Sequence, residues 1–460
     1  MKKILNSILL VVLVAGFFSC NKSSLDPTLA QQKIFDVTSL SDIEGLLNGA
    51  LDKMTYYTYY GRDYIIFGEV RSDDCFANGK SGRFLTPAAM DMGYSDAYAH
   101  DTWLQMYSTI ANLNIIIAQD PAKLTGDAAA IKNVIGEAYA LRALVHFDLL
   151  KLYGQQNVTG GNDVGIPYVT TYRGSDITPA RNTVAQVHDS INADLAKALT
   201  LMSADLNSSP EYVTTDAVYA LQSRVALYFG DWAACKTAAE EVINSGNYSI
   251  IDAADYPTTF TNKSSVNIIF ELAETSTDNQ GINGLSYIYR GTSYGDIQVV
   301  DSITKIFDPG DVRASADMLS YNYDAGKLRN VGKYPTVPGY DYDIPLIRYE
   351  EVVLNYAEAL YRLNPADPNA LVWLNKVPAN RGANLYTSVT EDNILQERQR
   401  ELCFEGFRFD DLARTQRDIP LVEPLRQSMG TVLYGDYKYA FPIPIAEINA
   451  NPNVVQNKGY

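Results

Sequence analysis

Gly291-Thr292-Ser293-Tyr294-Gly295 has the G-x-S-x-G spacing of a hydrolase nucleophile elbow. That chemistry needs a base histidine after the serine in chain order, on a strand–turn–helix frame. The three histidines, His100, His146 and His188, all lie upstream, and the flanking sequence is rich in Gly and Tyr. The motif therefore reads as a flexible loop. Segment 397–414 is dense in Glu, Asp and Arg, and paired carboxylates can run acid–base hydrolysis of glycosides. Glu401 and Glu405, however, stand one helical turn apart, with Arg398 and Arg408 near enough in sequence to neutralise both. Such an arrangement favours ionised carboxylates in fixed ion pairs over a raised-pKa acid. Phe404, Phe407 and Phe409 among them imply partial burial, so the segment is expected to be a structural network that locks the last helix onto the scaffold. HExxH and similar metal spacings are absent, and His146 reads as a packed or solvated residue. Cys75, Cys235 and Cys403 are far apart with no CxxC pattern; Cys235 and Cys403 are expected to pack as small hydrophobes. No catalytic residue, metal or cofactor is assigned.

Tyrosine gives the richer signal, at 33 of 460 residues. Tyr56, Tyr57, Tyr59, Tyr60 and Tyr64 cluster in one stretch, and Tyr287, Tyr289 and Tyr294 in another. A phenol ring can stack on the apolar C–H face of a sugar while its hydroxyl bonds to the rim of the ring. Asp73, Asp74, Asn78 and Arg83 could then fix orientation. The competing reading is that these rings pack the loops onto the helices. The ligand-binding set expected from sequence is Asp74, Arg83, Tyr94 and Tyr98 from the first stretch, with Tyr287, Tyr289 and Tyr294 from the second.

The elements that would hold these residues are mainly helical. Apolar positions recur at helical spacing over 101–119, over 134–152 up to Gly154, and over 187–199 behind a Thr183 N-cap. Two helices, Asp216 to Phe229 and Trp232 to Ile243, meet at Gly230-Asp231. Another pair runs from Tyr349 to Arg362 and from Asn369 to Val377, and a last helix runs from near Thr390 to about Phe404. Paired helices with tight turns suggest a tetratricopeptide-like repeat. The scaffold is placed at about 101–249 and 344–414, in a single domain over 20–460. The insertions at about 51–100 and 250–343 are too long to be mere connectors.

Composition is that of a globular protein, with a formal net charge of −17. An acidic surface repels nucleic acid and anionic lipid, which excludes both as partners. Lys2 and Lys3 precede an apolar stretch from Ile4 to Phe18, as in a secretory signal peptide over 1–19. Cys20 follows, as in a bacterial lipobox, where the thiol is acylated. Phe17 and Phe18 depart from the usual Leu and smaller residue.

Seven segments in order resemble the SusD/RagB family of Bacteroidetes surface lipoproteins. They are Leu25-Asp26-Pro27; Trp103 to Asn112; Glu137 to Gly154 with Gly165-Ile166-Pro167; Asn182-Thr183-Val184 leading to Ile191 to Leu195; Arg348 to Ala359; Arg400 to Leu412; and Phe441 to Pro444 with Asn451-Pro452-Asn453 and Gln456-Asn457. Pro378 stands where the family usually has Arg. The resemblance implies a mainly α fold of four tetratricopeptide-like helix pairs, with long irregular insertions forming a ligand-binding face. It implies a lipid anchor on Cys20 in the outer membrane, facing the exterior, and a TonB-dependent (SusC-like) transporter as partner. It also implies a non-enzymatic role in capturing an oligosaccharide or, in some members, a peptide. Two other classes stand beside it. A surface glycoside hydrolase or lyase would show turnover and a catalytic pair; a purely structural repeat scaffold would have little use for Tyr-rich insertions.

Overall fold

Ser39 starts the first scaffold helix with a reciprocal capping box: its hydroxyl accepts from the Asp42 amide at 3.2 Å while the Asp42 carboxylate accepts from the Ser39 amide at 2.9 Å. The computed structural model describes residues 36–172, 178–290, 294–324, 326–336 and 338–460. The signal segment, Cys20, Leu25-Asp26-Pro27 and residues 291–293 of the G-x-S-x-G motif lie outside the described residues.

Helix α1 (Leu40–Thr55) buries Ile43, Leu47, Ala50 and Met54, one stripe at helical spacing. After α2 (Asp63–Val70), buried along its whole length, and the short strand β1 (Cys75–Ala77), the chain returns as α3 (Ala97–Ile117) and packs on α1. Next comes α4 (Ala128–Tyr153), buried on nearly every side from Ile131 onward, with α5 (Val184–Leu201) along it. Thr183 caps α5 in a capping box with Gln186. Helices α6 (Thr215–Phe229) and α7 (Trp232–Ser245) form the third pair. Gly230 between them has φ +75°, a left-handed cap that any other residue would take only with strain. Strands β2 (Ile268–Leu272), β3 (Ile297–Val299) and β4 (Ile344–Arg348) then lead into α8 (Tyr349–Leu363) and α9 (Pro368–Leu374), the fourth pair. Successive pairs stack through α3 on α4, α5 on α6 and α7 on α8. The architecture is thus mainly α, with tetratricopeptide-like helix pairs as expected. Among the described residues no helix is long and apolar enough to cross a membrane.

The scaffold differs from the expected boundaries in one respect. It begins at Leu40 rather than near 101, and α1 runs into what was read as the first insertion. Gly45 and Gly49 lower the intrinsic helix propensity of this stretch, and its packing on α3 overrides them. The helix expected to reach Val377 also stops at Leu374, followed by a separate turn, Lys376–Ala379, that contains Pro378. A proline has no N–H with which to continue the ladder.

Two antiparallel ribbons fasten the insertions. Strand β1 pairs with β3, Cys75 opposite Val299 and Ala77 opposite Ile297, which sets the two Tyr-rich insertions side by side. Strand β2 pairs with β4 and returns the second insertion to the scaffold. A buried ion-pair network completes the attachment. Thr390 caps α10 (Glu391–Leu402), and Glu401 on that helix is fully buried. It meets Arg381 at 2.9 Å, Arg348 at 2.9 Å and Arg313 at 3.3 Å. Glu405 meets Lys333 at 2.6 Å and Arg348 at 2.7 Å. The expected neutralising partners, Arg398 and Arg408, are engaged elsewhere: Arg398 with Asp411 and Arg408 with Asp73. The network is structural as expected, but its arginines arrive from three segments distant in sequence. Cys75, Cys235 and Cys403 are buried free thiols.

Candidate functional site

The tyrosine cluster at 56–64 divides at Tyr57. Beyond it the rings turn inward: Tyr59, Tyr60 and Tyr64 are buried, and all three hydroxyls donate to the carboxylate of Asp148 on α4, at 2.6, 2.7 and 2.6 Å. Burial beside that carboxylate pushes all three phenols well above their usual range. These rings pack the insertion onto the scaffold. His146 is likewise a packed residue; it is buried and stacked on Tyr168, with Nδ1 against the Arg142 carbonyl and Nε2 accepting from the Val169 amide. Burial lowers its pKa to about 3.

Two members of the expected binding set are corrected by burial. Asp74 has no exposed surface; one carboxylate oxygen accepts from Gln399 Nε2 at 2.6 Å, and burial beside Asp73 pushes its pKa up to about 7. The β1–β3 ribbon and α10 cover it. Tyr289 is also fully buried, its ring stacked on Tyr334 and against Phe404, and neither it nor Asp74 can reach a ligand. Tyr94 is exposed, and its carbonyl accepts from the Ile445 amide. Its ring makes no aromatic stack or hydrogen bond among the described residues and stands apart from the cluster that follows.

Arg83, Tyr98 and Tyr294 do come together. The Arg83 guanidinium lies 3.9 Å from the Tyr294 ring centroid, a cation–π stack that joins the two insertions. It holds Asn283 Oδ1 at 3.4 Å and Asp296 at 3.9 Å, both loose contacts that leave guanidinium donors available. The next residue, Phe84, has φ +60° and stacks on Tyr98, whose hydroxyl accepts from the Phe84 amide at 2.8 Å. Partial burial raises the Tyr98 phenol to about 12, so it stays a neutral donor. Arg62 caps the other side of this stack, 5.3 Å from the Phe84 ring and 4.7 Å from the Tyr57 ring. Asp63 holds Arg62 at 2.6 Å, and burial raises that carboxyl to about 6 despite the arginine. Tyr56 is exposed beside Tyr57. Gln280 Oε1 accepts from the Tyr57 amide at 3.1 Å and ties the second insertion to the first. Tyr287, half-buried, faces Tyr340 at 5.6 Å.

The result is a half-open face with aromatic planes at Tyr56, Tyr57, Tyr98 and Tyr294, the guanidinium of Arg83 and a side-chain amide at Asn283; Arg62, buried and paired with Asp63, supports the Tyr57 and Phe84 rings. It can stack on flat or C–H-bearing ligand surfaces and donate hydrogen bonds to oxygen atoms around them. Arg62, Asn283 and Gln280 were missed in the sequence. The signal was present in the polar, glycine-punctuated run Asn279-Gln280-Gly281-Ile282-Asn283-Gly284, but tyrosine content drew the reading past it. Among the described residues no group of three or more His, Cys, Asp or Glu side chains could hold a metal ion.

Comparison with known proteins agrees with this architecture. A profile described as SusD family matches residues 308–460, and one described as starch-binding associating with outer membrane matches residues 31–227. SusD-like protein P2 of Formosa agariphila is 23% identical over 98% of both chains. The starch-binding protein SusD of Bacteroides thetaiotaomicron is 35% identical over 29% of this chain and 24% of its own length. A SusD superfamily protein from Bacteroides vulgatus superposes with a TM-score of 0.84 at 28% identity, covering 92% of this chain and 99% of that one. With matching profiles at both ends of the chain and the same fold along nearly its whole length, this protein belongs to the SusD family.

Proposed function

We propose that this chain is a cell-surface lipoprotein that captures an oligosaccharide on the Arg83–Tyr294 face and delivers it to a TonB-dependent outer-membrane transporter. It acts by binding and not by turnover. The single observation that carries this reading is the half-open stack of Arg83 on Tyr294, flanked by Tyr98 and Asn283, at the seam of the two insertions. A sugar ring offers what this seam takes: an apolar face for a phenol and a rim of hydroxyls for guanidinium and amide groups. Each stacked ring adds ~1 kcal/mol beyond area burial, so a few of them give micromolar-scale affinity, which suits a protein that must release its cargo. The names of the related proteins favour starch and other carbohydrates as the ligand class. The lipid anchor is assigned to Cys20.

Calorimetry with a panel of oligosaccharides, including α-glucans, tests the capture step. The Arg83→Ala/Tyr294→Ala variant should lose about tenfold or more in affinity, close to what removing one stacked ring and one charged donor predicts. A folded double variant with full affinity places the site elsewhere. Fractionation of cells carrying Cys20→Ala tests the anchor, which should disappear from the outer-membrane fraction when the transporter is also deleted.

A further inference from the structure

A cleft of about 410 Å³ opens where α1, α4 and the segment at 204–212 meet. It shares no lining residue with the Arg83 face. Leu47 and Val134 wall it, with Leu206 at the edge. Glu137 lies at its base, 6% exposed. One carboxyl oxygen accepts from Asn133 Nδ2 at 3.0 Å, and the other has no hydrogen-bond partner although it is buried. Buried polar atoms are ordinarily paired, so an orphaned carboxyl oxygen facing a cleft calls for a partner. Asn133 Oδ1 accepts from the Ser203 amide at 3.2 Å, which fixes the amide group with Nδ2 on the first Glu137 oxygen. Glu44 stands exposed among the lining residues, and none of those residues is basic.

We infer that this cleft binds an organic cation, a primary ammonium or guanidinium on a short apolar stem, which donates to Glu137 and Glu44 while the stem lies on Leu47, Val134 and Leu206. An ionised carboxylate is an acceptor only, and an ammonium or guanidinium is a donor only, so the two match where a neutral hydroxyl compound would bring an acceptor as well. The apolar walls strengthen the pairing by excluding water. Burial raises the Glu137 carboxyl to about 8, while Asn133 and the nearby Val213 amide pull the other way. At neutral pH it is therefore mostly protonated, and binding a cation expels that proton. Affinity accordingly rises with pH, by up to about tenfold per unit below that value. The cation can be a free amine or a basic side chain of a polypeptide.

The test titrates the full chain with n-butylguanidinium, charged throughout, and with n-butanol as the uncharged stem, at pH 6.5 and pH 9. Butylguanidinium should bind, about thirtyfold more tightly at pH 9, and butanol should bind far more weakly. Glu137→Gln, which preserves shape, should remove the pH dependence and most of the affinity; Glu44→Gln should weaken binding by a few-fold. Tighter binding of Nα-acetyl-arginine amide than of butylguanidinium assigns the cleft to a basic side chain, and the reverse order assigns it to a free small cation. Absence of butylguanidinium binding at both pH values, equal binding of butanol, or unchanged affinity in Glu137→Gln overturns the proposal.

Discussion

The network around Glu401 and the face around Arg83 are built from the same residue types, arginine, carboxylate and tyrosine, and they do opposite things. Around Glu401 every group is buried and saturated. Arg381 meets both Glu350 and Glu401 at 2.9 Å, and the three arginines hold the Glu401 carboxyl well below the usual carboxylate range against its desolvation. Around Arg83 the nearest carboxylate is 3.9 Å away and the guanidinium rests on an aromatic plane that solvent reaches. Saturation makes the first cluster a fastener, because no donor is left for a ligand. Incomplete pairing leaves the second with donors for the ligand role proposed for it. Residue type does not separate the two; the distance to the next charge and access to water do.

The comparison breaks first, and most visibly, at Glu401. Glu401→Ala takes one carboxylate from each of Arg313, Arg348 and Arg381 and leaves excess positive charge in a dry interior; breaking a buried pair costs about 3–5 kcal/mol, and the remaining partners Glu350, Glu397 and Glu405 place the loss toward the lower figure. Urea denaturation should show that loss. A variant with wild-type stability but no oligosaccharide binding would move the network into the binding machinery.

A smaller effect, readable as a slope, separates the fastener's own carboxyls. Glu401, Glu405 and Asp411 have lowered pKa values from their arginine and lysine partners. Their stabilisation is present above the ordinary carboxylate range and is lost as pH falls through their folded values. Asp74 runs the other way. Raised from 3.8 to about 7 by burial, it favours the folded state below about pH 4, and that advantage is lost as pH rises to 7. Asp74→Asn should therefore flatten the fall in stability between pH 4 and 7 and raise the melting temperature at pH 8. An unchanged pH profile would show that Asp74 does not hold a proton in the folded protein.

The finest test sets two tyrosines three residues apart against each other. Tyr57→Ala should weaken ligand binding by a few-fold (~1 kcal/mol) while leaving the melting temperature in place, because its ring faces Arg62 at the open seam. Tyr60→Phe should cost ~1 kcal/mol of stability through the lost bond to Asp148 and leave affinity unchanged. If the two variants exchange phenotypes, the division between packing and binding rings falls elsewhere than at Tyr57.

The helices and their pairing were legible in the sequence. Caps such as Thr183 and Thr390, the left-handed Gly230, and apolar stripes at helical spacing are local features, since each depends on residues within a turn or two. The exception, α1, is a helix whose two glycines weaken the local signal and whose partner lies at Ala97–Ile117. The crowding of short polar and aromatic residues in the insertions was legible from composition, and the structure brings Arg83 and Tyr294 into contact there, with Tyr98 beside Phe84. Which rings turn inward depends on long-range packing. Tyr59 and Tyr289 are no less tyrosine-like in sequence than Tyr57 and Tyr294, but Asp148 lies 89 positions from Tyr59, and Phe404 lies 115 from Tyr289. Burial is set by what arrives from across the chain, and a side chain's chemistry follows its burial: the same phenol is a packed donor when a distant carboxylate covers it and an open aromatic plane when nothing does.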